Sequence, residues 1–178
     1  MNINIKKFVL SALFVALAYV LSFVKVFRMP LGGSVTLMSM FVISLPAYCF
    51  GVKYGFTSSF IYAILQLMQG GTIVHPMQVF LDYIFAFTCF GIVAFYRNIK
   101  NGSYIGFFIA CTIRCISSSL SGYFFFREYT PANWNTMLYA LVYNGAYIYA
   151  EYFITVVLVT VPYVKNLIRK IKFEIGNE

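Results

Sequence analysis

Charge is what this sequence of 178 residues has least of. Only 10% of its residues are charged, with Asp and Glu together numbering 5. Average soluble domains carry about 25%, so a soluble globular domain is excluded. There is one histidine, His75, which rules out a His-rich metal site and a Ser–His catalytic pair inside the bundle. Acidic residues are too few and too scattered for the carboxylate cluster of a metal-dependent membrane transferase. No GxxxxGK[ST] phosphate loop occurs, so the chain does not hydrolyse ATP by that route. A GxS-type nucleophile with a matching base is also missing, and no catalytic residue is assigned. The four cysteines, Cys49, Cys89, Cys111 and Cys115, sit in apolar runs without CxxC spacing. They read as small core residues rather than a redox pair or zinc site. Neither a metal nor a cofactor is expected.

What is abundant is grease. Hydrophobic residues make up 61% of the chain, with 20 Phe and 15 Tyr, as suits rings that fill a bundle and belt its interfaces. A bilayer core takes about 20 apolar residues as helix. By that measure the sequence predicts an all-α, polytopic membrane protein with six transmembrane helices over 8–27, 34–50, 54–68, 77–96, 104–125 and 136–161. The second and third are short, and Pro46 falls within the second. A basic tail over 165–178 closes what reads as one integral membrane domain, 1–178. The first run is too long for a signal-peptide core and lacks a small-residue cleavage site, so a retained span is expected.

The net charge of +8 looks like a nucleic-acid signal until the charges are placed. They sit at span ends and report topology. With a cytoplasmic N-terminus, the inner segments hold Lys6, Lys7, Lys53, Arg97, Lys100, Lys165, Arg169, Lys170 and Lys172, and the outer ones hold Lys25, Arg28 and Arg127. The positive-inside rule then predicts both termini cytoplasmic. The loops around Gly32, His75 and Trp134 face outward, and the surroundings are lipid rather than nucleic acid.

Polar residues inside the spans mark candidate sites, because an ionised group in lipid costs a few kcal/mol (roughly 2.5 to 3.5). In HPMQVFLDYIFAF, 75–87, Asp82 interrupts such a run. Counting helical rise from the outer ends places Asp82 roughly 9 Å deep, Ser118 roughly 10 Å, Tyr139 roughly 5 Å and Asn144 roughly 12 Å. Three helices thus carry polar groups to the same outer third, the pattern of an outward-opening pocket. Asp82 is then the counter-charge for a cationic or amine-bearing ligand, and Tyr83, Phe126, Tyr139 and Tyr143 offer rings to stack on it. Satisfaction of Asp82 by a neighbouring Tyr or Arg is the alternative, and for Asn144 it is helix–helix hydrogen bonding. Arg114 and Glu151 lie deeper on antiparallel helices and are expected to meet as a structural ion pair; a second cation site or proton relay is the alternative. Ala12 and Ala16, one turn apart on the first helix, form a small-residue face for close helix approach, with the sixth helix or with another subunit.

The segments MPLGGSVTLMSM, GVKYG, HPMQVFLDYIFAF, RCISSSLSGYFFF and LYALVYNGAY occur in that order. In this they resemble the thiamine-specific substrate-binding (S) components of energy-coupling factor (ECF) transporters. The resemblance runs from about Leu10 to Val161 and is most specific in MPxGGS, HPxQxxLDY and YxLxYN. It implies a six-helix S-component fold in the plasma membrane of a bacterium. Such a component captures thiamine outside the cell and hands it to a transmembrane coupling subunit with two ABC ATPase subunits. By position it implies that Asp82 meets the ligand's positive charge and that Tyr83, Tyr139 and Asn144 line the pocket. Phe126 stands where a Trp can stack on the ligand, and Ala12 and Ala16 dock on the coupling subunit. Ser118 stands where the family usually has a ligand-contacting His, and the first loop lacks the Trp that closes over the ligand in some members. Rival readings are an S component for a thiamine precursor or riboflavin, and a structural membrane subunit without a ligand.

Overall fold

The computed structural model describes residues 3–70 and 73–176 and is mainly helical. Helix α1 spans Ile3–Phe23, α2 Ser39–Phe50, α3 Val52–Met68, α4 Pro76–Tyr96, α5 Gly102–Phe125, α6 Thr136–Thr160 and α7 Pro162–Ile171. Four of these, α1, α4, α5 and α6, are long and apolar enough to cross a membrane. Helix α2 is apolar but has only 12 residues, about 18 Å of rise.

The shortness of α2 has a local cause. The spans expected over 8–27 and 34–50 are each cut by a strand: β1 covers Lys25–Arg28 and β2 covers Ser34–Thr36. They pair antiparallel, with Lys25 opposite Thr36, Phe27 opposite Val35, Arg28 opposite Ser34, and a bulge between Lys25 and Phe27. Strand β1 is exposed, whereas Val35 and Thr36 are buried in the bundle. Irregular backbone at membrane depth is tolerated only where protein covers it or it lines a cavity; here Val35 and Thr36 are covered, and Lys25, Gly32, Gly33 and Ser34 line a cavity.

Helix α2 begins without a local cap. Met38 precedes it in the left-handed region (φ 61°) and gives no side-chain hydrogen bond. One orphan N–H group that a Ser or Asp cap would satisfy, that of Met40, is met from α6 instead. Glu151 accepts from Thr36 N at 2.8 Å, Thr36 Oγ1 at 2.6 Å, Met40 N at 3.2 Å and Ser39 Oγ at 3.3 Å. This corrects the expected Arg114–Glu151 ion pair. The only ion pair among the described residues is Lys170–Glu174, and the Arg114 guanidinium instead lies 4.2 Å over the ring of Phe87. Two backbone N–H groups and two hydroxyls satisfy a buried carboxylate at least as fully as one guanidinium does.

Helix α1 packs on α2 and α3, burying Ser11, Val15, Ala18 and Ser22. Ala12 and Ala16 are on its exposed face, flanked by exposed Leu13 and Leu17. Packing of this small-residue face on the sixth helix is therefore excluded. Helices α2 and α3 approach each other closely. A Cβ added to Gly55 would stand 2.5 Å from Ala47 Cβ and 2.6 Å from Ala47 Cα. Gly55→Ala is expected to destabilise the protein by about 1–3 kcal/mol through overpacking. Gly145→Ala, whose Cβ would meet nothing nearer than 3.8 Å, should be neutral or stabilising. Thermal unfolding of the two variants in detergent compares them directly.

The basic tail is helical over its described residues, as far as Gly176. Pro162 starts α7 with its preset φ, Ile168 is buried, and Lys172 Nζ donates to the carbonyl of Arg97 at the end of α4.

Candidate functional site

Helix α4 has an uneven hydrogen-bond ladder. It starts as α-helix over Pro76–Val79, widens to π over Phe80–Phe85, and tightens to 3-10 over Cys89–Tyr96. His75 caps its start, accepting from Met77 N through Nδ1 at 3.1 Å and stacking on Phe125 at 5.1 Å. The π turn carries Asp82 and Tyr83, and wide turns of this kind frequently sit at functional sites. Ser117 of α5 donates to the carbonyl of Leu81 at 2.6 Å, which ties the widened turn to its neighbour.

Two donors hold Asp82, Gln78 Nε2 and Ser121 Oγ, each at 2.8 Å and both on Oδ2. Oδ1 accepts no hydrogen bond among the described residues. Gln78 is fully buried, and its Oε1 accepts from Val74 N at 3.2 Å, so its amide is fixed at both ends. On α6, Asn144 donates to the carbonyl of Ala140 at 2.9 Å and accepts from Tyr147 OH at 2.8 Å. The buried Ser118 hydroxyl makes no hydrogen bond among the described residues.

These groups surround a cavity of about 250 Å³ between α4, α5, α6 and the β1–β2 hairpin. Asp82, Tyr83, Ser118, Phe126, Tyr139 and Asn144 all line it, so the six residues expected at a pocket share one space. The hairpin turn forms another wall. Gly33 N–H donates to Tyr143 OH at 3.0 Å, and the same hydroxyl donates to the carbonyl of Pro30. Only glycine allows this approach, since a Cβ at position 33 would lie 2.8 Å from Tyr147 Cδ1 and 2.9 Å from Tyr143 OH.

Three features of the wall go beyond the sequence expectations. Gln78 holds Asp82 from one turn away, and the i, i+4 spacing was the available signal. Tyr147 orients Asn144 with the same kind of spacing. Arg114 also lines the cavity, and its buried Nε has no hydrogen-bond partner among the described residues; no local pattern announces that. The cavity thus joins a carboxylate with one unengaged oxygen, a guanidinium, hydroxyl and amide groups, and aromatic faces. It can hold a compact ligand that is aromatic, polar and partly cationic.

The profile of the family described as "Thiamine transporter protein (Thia_YuaJ)" matches residues 8–171. The thiamine transporter ThiT of Bacillus subtilis is 29% identical over 144 residues, covering 73% of this chain and 74% of that protein. The thiamine transporter ThiT of Lacticaseibacillus paracasei is 27% identical over 120 residues, 60% of each chain. The solved structure of ThiT from Listeria monocytogenes superimposes with a TM-score of 0.82, covering 96% of this chain and 99% of that one. At 19% identity that likeness speaks for the fold. With nearly its whole length matched, this chain belongs to the thiamine transporter protein family.

Proposed function

We propose that this multi-pass bacterial membrane protein captures thiamine from outside the cell as the substrate-binding component of an ECF importer. Asp82 carries the proposal. It is a half-buried carboxylate whose Oδ2 is fully occupied and whose Oδ1 accepts no bond from the described residues, at the wall of a cavity lined by aromatic rings. Lys25 and Arg114 both line the cavity with Asp82, and Glu151 stands behind it, bonded to the cavity residue Thr36, so the formal charges balance and the case for a cationic ligand, here a thiazolium, rests on the open Oδ1 of Asp82. Tyr139 and Phe126 offer faces to that ring, and Asn144 and the Ser118 hydroxyl suit the edge of an aminopyrimidine.

In this reading the helices form one membrane domain of six spans with both termini cytoplasmic. The short α2 reaches its full depth through the buried end of strand β2. The exposed Ala12–Ala16 face of α1 docks on a transmembrane coupling subunit, and two separate ATPases supply the energy that a chain without a phosphate loop does not.

Trp134, the sole tryptophan, reports on the site because its ring lies 6.2 Å from that of Tyr139. Titrating purified protein with thiamine should quench its fluorescence saturably, and riboflavin and a thiamine precursor should compete poorly. A response to riboflavin or the precursor in place of thiamine would move the substrate. Silence toward all three, in fluorescence and in calorimetry, would turn the assignment toward a structural subunit.

A further inference from the structure

A second concavity, of about 460 Å³, opens at the end of the bundle where α2 and α4 finish and α5 starts. Four cations line it: Lys100, Lys165, Arg169 and Lys172. Three of them follow the spacing i, i+4, i+7 along α7 and its continuation and so share one helical face. Beside that face, Val164, Ile168 and Ile171 turn toward the bundle at the same spacing, with Ile168 buried. Like charges one turn apart destabilise a helix, and no carboxylate among the described residues relieves them. Glu174 pairs with Lys170, which does not line the groove. The N-terminus of α5 adds its positive end, with Asn101, Ser103 and Tyr104 on the groove wall. Lys172 is additionally held over the Tyr48 ring at 4.2 Å. Burial, and then the neighbouring Arg97 guanidinium, push its ammonium below the usual lysine range.

We propose that this groove binds the phosphate ester of an anionic phospholipid headgroup. A phosphodiester supplies the missing negative charge to four cations and a helix N-terminus at once. A lipid is favoured over free phosphate because exposed apolar side chains, Ile99 and Phe173, line the groove together with the cations. They offer a path for acyl chains at the level where the long apolar helices end. Bound there, the headgroup holds the amphipathic α7 against the bundle in the plane of the interface.

The test is native mass spectrometry of the full chain in detergent, titrated with phosphatidylglycerol, phosphatidylcholine or inorganic phosphate. The expected result is retention of phosphatidylglycerol at least tenfold over phosphatidylcholine, reduced roughly tenfold or more in Lys165→Gln/Arg169→Gln. Lys6→Gln/Lys53→Gln, which removes the same charge away from the groove, should leave retention unchanged. Should the first double variant fail to fold, Lys100→Gln reads the same groove from its opposite wall. Equal retention of the two lipids overturns the site, as does equal loss in both double variants. Displacement of phosphatidylglycerol by inorganic phosphate at matched concentration overturns the lipid and leaves a phosphate site. None of these readouts depends on which vitamin the cavity takes.

Discussion

Asp82→Asn is expected to leave the protein folded and weaken thiamine binding by roughly thirtyfold or more, about 2 kcal/mol, the strength of a hydrogen bond to a charged group. The fold survives because both existing bonds converge on Oδ2, from Gln78 Nε2 and Ser121 Oγ at 2.8 Å. An asparagine can offer its carbonyl oxygen to the same two donors. Its amide nitrogen then takes the place of Oδ1 and presents a donor where a carboxylate faced the ligand's positive charge. Ser121→Ala removes only one of the two bonds that orient Asp82 and keeps the charge, so its loss of affinity should be smaller. Calorimetric titration of both variants, with size-exclusion profiles confirming the fold, checks the order. Unchanged affinity in Asp82→Asn would remove Asp82 from the ligand's surroundings and with it the electrostatic basis of the proposed function.

How far the sequence reached depends on how local each signal is. The fourth, fifth and sixth helices were expected over 77–96, 104–125 and 136–161 and occur over Pro76–Tyr96, Gly102–Phe125 and Thr136–Thr160. Each is bounded by a proline, a glycine-containing turn or an asparagine cap, and each is apolar enough to cross a membrane although it carries one ionisable residue, Asp82, Arg114 or Glu151. Depth counted along those three helices was enough to bring Asp82, Ser118, Tyr139 and Asn144 to a common level, and they do line one cavity. The first and second spans were misjudged at their outer ends because segments of four and three residues are too short to show a period that separates strand from helix. Lys25–Arg28 is exposed throughout while Val35 and Thr36 are buried, and the turn between them folds the two strands back on each other. The two deepest charges failed for another reason. Opposite charges on antiparallel helices suggest each other as partners. The donors that take up Glu151 are instead backbone and hydroxyl groups of Thr36, Ser39 and Met40, more than a hundred residues away. No sequence pattern points to an N–H group as the partner of a distant acid.

Glu151→Ala is expected to cost at least about 3 kcal/mol of stability, since it strips several charged hydrogen bonds and leaves buried donors unpaired. Two of those donors, Thr36 N and Met40 N, belong to backbone that cannot turn elsewhere. Met38 supplies no cap, so the carboxylate is what stabilises the positive end of α2. Because β2 hangs from the same carboxylate, the Ser34 and Thr36 wall of the cavity should loosen, and thiamine affinity should fall together with stability. Glu151→Gln keeps one accepting oxygen and should fall between wild type and Glu151→Ala. Arg114→Met is the discriminating companion. Arg114 packs on Phe87 and forms no ion pair among the described residues, so a methionine of similar length should cost far less stability than Glu151→Ala. Denaturant unfolding in micelles, run as a double-mutant cycle, separates the two pictures. A capping carboxylate predicts a small coupling between positions 114 and 151. Losses of equal size, with the double variant no worse than either single one, would restore the ion pair and take the support of the hairpin away from Glu151.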